Sequence, residues 1–296
     1  MYLYAVLFSV FTSILADLSK ISGYVKNGTA KYPVITVQDV NINTLTDCSV
    51  IVLTNNTIPI LDTDDFPELP QLEELALMNN GLAEMKPECF RKLSKLKHLY
   101  LTQNKLRKIS SRILEGLPSL EILNLSENKI VEIVYGAFSD LPSLKMVNLS
   151  KNKIPSVTAE WFTHCDKLKS LNLSFNRLVS IADGSFRNVG SLKSLYLDTN
   201  SIRTVGEKAF SDLQALERLD LAFNEIEEIA GNTFKGLENL KMIKLLGNKL
   251  VCLYEDVLNS LNDDAVVYLM GNQLSKDCRE VIKKFKIDRP TIQIFY

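Results

Sequence analysis

Apolar residues recur along this chain in a frame that returns every 24 residues, a spacing too long for the period of one helix or one strand. Two passes of the frame read Leu120, Leu123, Leu125, Asn128, Ile130 and Leu168, Leu171, Leu173, Asn176, Leu178. The polar member anchors the phase, at Asn56, Asn80, Asn104, Asn128, Asn152, Asn176, Asn200, Asn224, Asn248 and Asn272. Beyond each asparagine a large apolar residue follows at Phe66, Phe90, Leu114, Phe138, Phe162, Phe186, Phe210, Phe234 and Leu258. A further apolar position, filled by Leu69, Leu93, Leu117, Leu141, Leu213 and Leu237, completes the frame.

Each part of the frame predicts a piece of structure. Two leucines separated by one residue point to the same side of a short strand, so the residue between them points to the other side. A single turn cannot bury its own leucines, and stacking successive turns pairs the strands in a parallel sheet around a shared core. The phenylalanine column is expected to fill the opposite side of that core. The asparagine, polar at a core-facing position, is read as structural: its amide can bond backbone groups that would otherwise be buried unpaired.

Written as a motif, the frame is LxxLxLxxNxL, and from Cys48 to about Leu274 the chain resembles the extracellular, 24-residue class of leucine-rich-repeat proteins. Its small, cysteine-poor layout is also similar to the short insect leucine-rich immune proteins. The resemblance implies an α/β repeat solenoid, a leucine-rich-repeat horseshoe with a concave parallel β-sheet and an irregular or short-helical convex side. It also implies that the concave face binds other molecules. The chain departs from the family pattern at Cys48, which stands alone where a cysteine-rich amino cap is usual. Asn248 to Cys252, NKLVC, resembles the start of the family's carboxy-terminal cap, without the second cysteine of the usual close pair.

The ends set the organisation. Residues 1–16, MYLYAVLFSVFTSILA, form an apolar run closed by a small residue and read as a signal peptide, which places the mature chain outside the cell. No later run approaches the ~20 apolar residues of a membrane span. Residues 17–47 are read as an amino cap, with a hairpin signal at Asn27-Gly28. Residues 48–274 are read as about ten turns, the carboxy cap merging in from 249, and residues 275–296 as the cap tail. In that tail Ile292, Ile294 and Tyr296 alternate with Thr291, Gln293 and Phe295. This β-prone run has two berths: it folds back on the apolar concave patch, or it pairs with the strand around Val266 to Met270, in cis as a cap, the favoured reading, or in trans to make a dimer.

Composition narrows the function. The 296 residues carry a formal net charge of −1, which gives no chain-wide attraction for nucleic acid. The two histidines, His98 and His164, lie more than two repeats apart, and no phosphate-cradling glycine loop or metal-ligand spacing occurs. Enzyme chemistry is therefore not expected, and no cofactor is implied. Of the five cysteines, Cys252 and Cys278 flank the cap and are paired in the favoured reading, with two thiols as the alternative. Cys48, Cys89 and Cys165 fall on core columns and read as small buried apolar residues.

Function is then expected on the concave ladders: Tyr100, Ile122, Met146, Tyr196, Arg218, Asp220, Met242, Lys244, Leu246 and Tyr268. These mix charge with apolar surface, which suits a soluble or cell-surface protein partner better than a polymer of one charge. The apolar weight falls near the carboxy-terminal end, where Val266 and Met270 join Met242, Leu246 and Tyr268. At the strand's starting edge Lys97, Lys145, Lys169, Lys193 and Lys241 form a stripe interrupted by Glu121 and Glu217, read chiefly as a solvated edge. A secreted recognition or scaffold protein, in the manner of innate immunity, is the leading role; an extracellular matrix or adhesion protein, or an enzyme inhibitor, is the alternative.

N-glycosylation signals stand at Asn27, Asn55, Asn124, Asn148 and Asn172. The last three repeat the phrase NLS in consecutive turns, so neighbouring sites lie ~5 Å apart on the concave face. Branched sugars cannot fill all three at that spacing. Site-by-site mass spectrometry of the native protein should find Asn27 glycosylated most readily and the triplet only partly occupied; full occupancy of all three would contradict the concave placement.

Overall fold

The computed structural model describes residues 22–27, 35–36, 47–139 and 141–296. The amino-terminal leader reading lies outside these residues, as does most of the proposed amino cap. The chain divides into two compact units. Unit 1 runs to Asn148 and includes Trp161–Cys165; unit 2 comprises Leu149–Glu160 and Asp166–Tyr296.

In unit 1 the strands Cys48–Thr54, Glu74–Met78, His98–Tyr100, Ile122–Asn124 and Met146–Asn148 pair in sequence order, all parallel. Each register step is 24 residues, as in His98 opposite Ile122 and Leu99 opposite Leu123. The strand Ser22–Asn27 pairs antiparallel with Cys48–Thr54 on one side and with Ile35–Thr36 on the other. The first parallel strand therefore has no open edge.

In unit 2 the strands Ser170–Asn172, Ser194–Tyr196, Arg218–Asp220, Met242–Lys244 and Val266–Tyr268 continue the parallel pattern at the same step. A sixth, Gln293–Phe295, pairs parallel with Val266–Tyr268. The tail thus takes its cis berth. In each unit the strands follow the parallel-strand repeat solenoid that the motif implies. Away from the strands the turns are mostly irregular, with two-residue parallel pairs such as Ser180–Ile181 beside Thr204–Val205. Two α-helices belong to unit 2, α1 (Glu255–Asn259) and α2 (Lys276–Asp288).

The core follows the frame. Leu99, Leu101, Leu123 and Leu125 in unit 1, and Leu171, Leu173, Leu195 and Leu197 in unit 2, are fully buried. The phenylalanines stack between turns: the ring centres of Phe138 and Phe162 lie 5.2 Å apart and those of Phe186 and Phe210 6.0 Å apart, each pair nearly parallel. Burial of each such ring contributes about 1.5–3 kcal/mol.

The asparagine column binds one turn to the next. Asn224 Nδ2 donates to the carbonyl of Leu221 in its own turn at 3.1 Å and to that of Leu197 in the preceding turn at 3.0 Å. Its Oδ1 accepts from the backbone N–H of Ile202 at 3.0 Å. The same three bonds recur at Asn128 and Asn176, with the same sequence offsets.

The residue before each asparagine has a left-handed backbone, including Gln103, Glu127, Thr199 and Phe223, with φ between 54° and 59°. Here the chain reverses out of its strand so that the asparagine turns inward. Cys252 and Cys278 form a disulfide that ties α2 to the loop after Asn248. Cys89 is buried, and burial pushes its thiol up to about 12, which keeps it un-ionised and inert at neutral pH.

Two substitutions test this core. Phe186→Ala should cost about 3–5 kcal/mol through the cavity it leaves. Asn224→Leu should cost at least ~2 kcal/mol, because each buried backbone group left unpaired costs about 1–3 kcal/mol. Urea titration measures both, and a loss below ~1 kcal/mol for either would remove that column from the core.

Candidate functional site

Strand alternation sends the middle residues of each strand inward and the flanking ones outward, so the outward face can be followed turn by turn. In unit 1 it carries Tyr100, Ile122 and Met146. Tyr100 and Ile122 are half-buried and Met146 is exposed. Val52 and Ala76, outward by register, are buried beside them. His98 Nδ1 lies 3.5 Å from a Glu74 carboxylate oxygen, and its ring sits 6.4 Å from Tyr100.

The glycosylation triplet is partly committed to the turn itself. Asn124 Oδ1 accepts from Ser126 N–H at 3.0 Å and from its hydroxyl at 2.7 Å, and Asn172 Oδ1 accepts from Ser174 N–H at 2.9 Å. Ser126 and Ser174 are themselves buried. Asn55, by contrast, is exposed.

Three lysines of the starting edge are paired with glutamates of neighbouring turns. Lys97 pairs with Glu73 at 2.8 Å, Lys145 with Glu121 at 2.8 Å, and Lys193 with Glu217 at 2.6 Å. The Lys193 hydrogen bond, reinforced by the neighbouring cations, holds the Glu217 carboxyl below its ordinary range. Exposed pairs of this kind contribute ~0–1 kcal/mol each, and here they neutralise three of the five lysines of the stripe.

Unit 2 gathers the remaining candidates: Tyr196, Arg218, Asp220, Met242, Lys244, Leu246 and Tyr268. Arg218, Asp220, Met242 and Lys244 meet across one ladder step, where Arg218 stands opposite Met242 and Asp220 opposite Lys244. Lys244 Nζ donates to Asp220 Oδ2 at 2.8 Å, and Asp220 Oδ1 accepts from Ala222 N–H at 3.1 Å. Asp220 is only 8% exposed, so this carboxylate is a built, hydrogen-bonded part of the face.

Two recesses open on either side of the pair. One, of about 210 Å³, is lined by Tyr196, Arg218, Met242 and the Asp220–Lys244 pair. The other, of about 400 Å³, has Phe223, Leu246, Tyr268 and Met270 as its apolar walls and Asp198 beside Asp220 and Lys244. Tyr268 is itself stacked on Phe295 of the tail strand, ring centres 5.3 Å apart.

The ladder positions miss Asp198, Phe223 and Phe295. The first two lie beyond the strand, at the asparagine's own turn, where the ladder count stops. Their signal was the register: Phe175 and Phe223 occupy the place just before the asparagine that Gly247 and Gly271 fill elsewhere. Among the described residues no group of three or more His, Cys, Asp and Glu side chains is arranged to hold a metal ion. No described helix is long and apolar enough to cross a membrane.

A face of this kind offers apolar and aromatic contact with a fixed ion pair at its centre. The chain matches the family model described as "Leucine rich repeat" over residues 70–130, 122–178, 166–226 and 214–274. No curated protein matches it. Among solved structures it is similar to the chain of a crystal structure of a TLR13–ssRNA13 complex, at 27% identity and a TM-score of 0.67. That likeness covers 80% of this chain but 34% of the other, so the chain spans about a third of that protein's length.

The ion pair yields a pH prediction. The Asp220 hydrogen bond holds the Lys244 ammonium above its ordinary range. A raised folded value means that the stabilisation is fully present below the unfolded value and is lost as pH rises through the folded one. The stability difference between wild type and Lys244→Met should therefore hold steady from ~pH 6 to ~pH 9 and narrow above the ordinary lysine value of ~10.4. Denaturant titrations across that range check it, and a difference that widens with alkaline pH would contradict the assignment.

Proposed function

Because the chain belongs to the leucine-rich-repeat family, we propose that it is a secreted, non-catalytic binding or scaffold protein that presents the sheet face of unit 2 to a protein partner in innate immune recognition. The observation that carries this reading is the juxtaposition there of Met242, Leu246, Tyr268 and Met270 with the Asp220–Lys244 pair. Apolar and aromatic side chains around a few fixed polar groups are what a protein interface selects at its centre. The Cys252–Cys278 disulfide supports an oxidising, extracellular setting, as does the apolar leader read in residues 1–16.

Likeness to TLR13 supports a recognition role. Single-stranded RNA, which that complex contains, is held by stacking platforms in a groove of uncommitted cations. Here Lys244 is committed to Asp220, and the carboxylates of Asp198 and Asp220 line the larger recess, which favours a protein ligand over RNA. The matrix, adhesion and inhibitor readings share the same face and differ only in what covers it.

Expression of the full chain in secreting eukaryotic cells, with amino-terminal sequencing of the product, tests the first part. Recovery from the medium beginning at Asp17 is the expected result; retention in the cell with residues 1–16 attached would overturn secretion. Capture from extracellular fluid with wild type and Met242→Glu tests the second. A protein partner recovered at least tenfold less well by the variant is expected, in line with loss of a central apolar contact; equal recovery of every captured protein would overturn the assignment of this face.

A further inference from the structure

Phe223 stands where its turn leaves the strand, with a left-handed backbone at φ 54°. Gly247 and Gly271 hold the same place in the next two turns, where the conformation has no steric cost. For phenylalanine it is strained, and the side chain is 58% exposed, so burial does not offset the strain. The same left-handed place recurs in every turn, so what singles out Phe223 is that its exposed ring lines the recess. The ring also has a prepared seat: a Cβ on Gly247 would lie 2.6 Å from Phe223 Cδ1, so only glycine leaves room for it. Held there, Phe223 is one wall of the 400 Å³ recess, and Tyr268, fixed by its stack on Phe295, is another.

The charges in the recess do not balance. Asp220 and Lys244 satisfy each other. Asp198, on the same recess, accepts hydrogen bonds from the hydroxyls of Ser174 and Thr199, and among the described residues it enters no ion pair. An anionic guest would meet two carboxylates and an ammonium already committed. A purely apolar guest would strip water from Asp198 and supply no compensating charge. A cation between the rings and Asp198 gains the negative ring faces and a charge-assisted hydrogen bond together.

We propose that this recess receives an arginine or lysine side chain of the protein partner, held between Phe223 and Tyr268 and paired with Asp198. The proposal rests on the reading of unit 2's face as a protein-binding surface, and it adds the chemistry of the anchor.

A displayed library of random heptapeptides, selected on the immobilised full chain, supplies the probes. The selected pool should concentrate arginine or lysine at one position, and replacing that residue by norleucine should weaken binding to wild type roughly tenfold, as should Asp198→Asn. Phe223→Gly should weaken the same peptides as much while its thermal midpoint stays level or rises, since glycine relieves the left-handed backbone. The norleucine comparison is made on wild-type protein and stands even where a variant folds poorly. A pool without cationic enrichment, a pool rich in acidic residues, no enriched pool at all, or an arginine peptide indifferent to Asp198→Asn would each overturn the proposal. A cation-free pool whose binding is still lost in Met242→Glu would remove the cationic anchor alone and leave the protein-binding face intact; indifference to both variants would remove both.

Discussion

Each turn of this chain buries backbone amides and carbonyls where it leaves its strand, beyond the reach of the strand ladder, and one asparagine side chain satisfies them. Three bonds of Asn224, to Leu197, Leu221 and Ile202, join two consecutive turns through a single side chain. Few other residues fit: the site needs an acceptor and two donors on one short planar group, which leaves out aspartate, serine and the apolar residues. The in-phase stacking of the turns follows, because only a constant register brings each amide to the same carbonyl of the preceding turn. So does the left-handed residue before the asparagine, which aims the amide inward and places its own side chain at the border of the outward face.

That constraint divides what the sequence makes legible from what it leaves open. The leucine, phenylalanine and asparagine columns recur in phase, so the strands, their parallel order and the buried Phe138, Phe162, Phe186 and Phe210 follow from spacing alone. The outward ladder follows from alternation. The 400 Å³ recess does not, because it is built where alternation has ended: Asp198 and Phe223 project from the turn, and their meeting with Tyr268 depends on how that turn reverses. The tail strand was half legible. Alternation at Ile292 and Ile294 announced a strand with one apolar side, but the edge beside Val266–Tyr268 offers the same hydrogen bonds to a strand of this chain or of another. The cis choice is set by α2, whose buried Ile282 and Phe285 and whose bond to Cys252 through Cys278 bring the tail back to that edge.

Charge is arranged differently on the two parts of the outward surface. Along the starting edge, lysines and glutamates from successive turns pair in water, and the net effect is solubility with little stabilisation. At Asp220 and Lys244 the pairing is set among apolar neighbours, where desolvation makes charge complementarity decide which guest is admitted. The periodic scaffold thus supplies both conditions from one register, and only the neighbouring side chains differ.

The carboxy-terminal cap and the recess share a wall. Burial of Ile292 and Ile294 forces Phe295, the residue after Ile294, onto the outward side with Gln293 by the two-residue period of a strand. There its ring stacks on Tyr268, so the strand that closes the sheet edge also fixes an aromatic side chain of the candidate site. The tail is held in turn by Lys286, whose ammonium donates to the Ile294 carbonyl at 3.3 Å, and by Arg289, which donates to the Leu261 carbonyl at 2.7 Å. Both lie at the end of the helix anchored by the Cys252–Cys278 disulfide. Edge protection and ring placement are consequently one structural event: a change that frees the tail exposes a strand edge and loosens Tyr268 together.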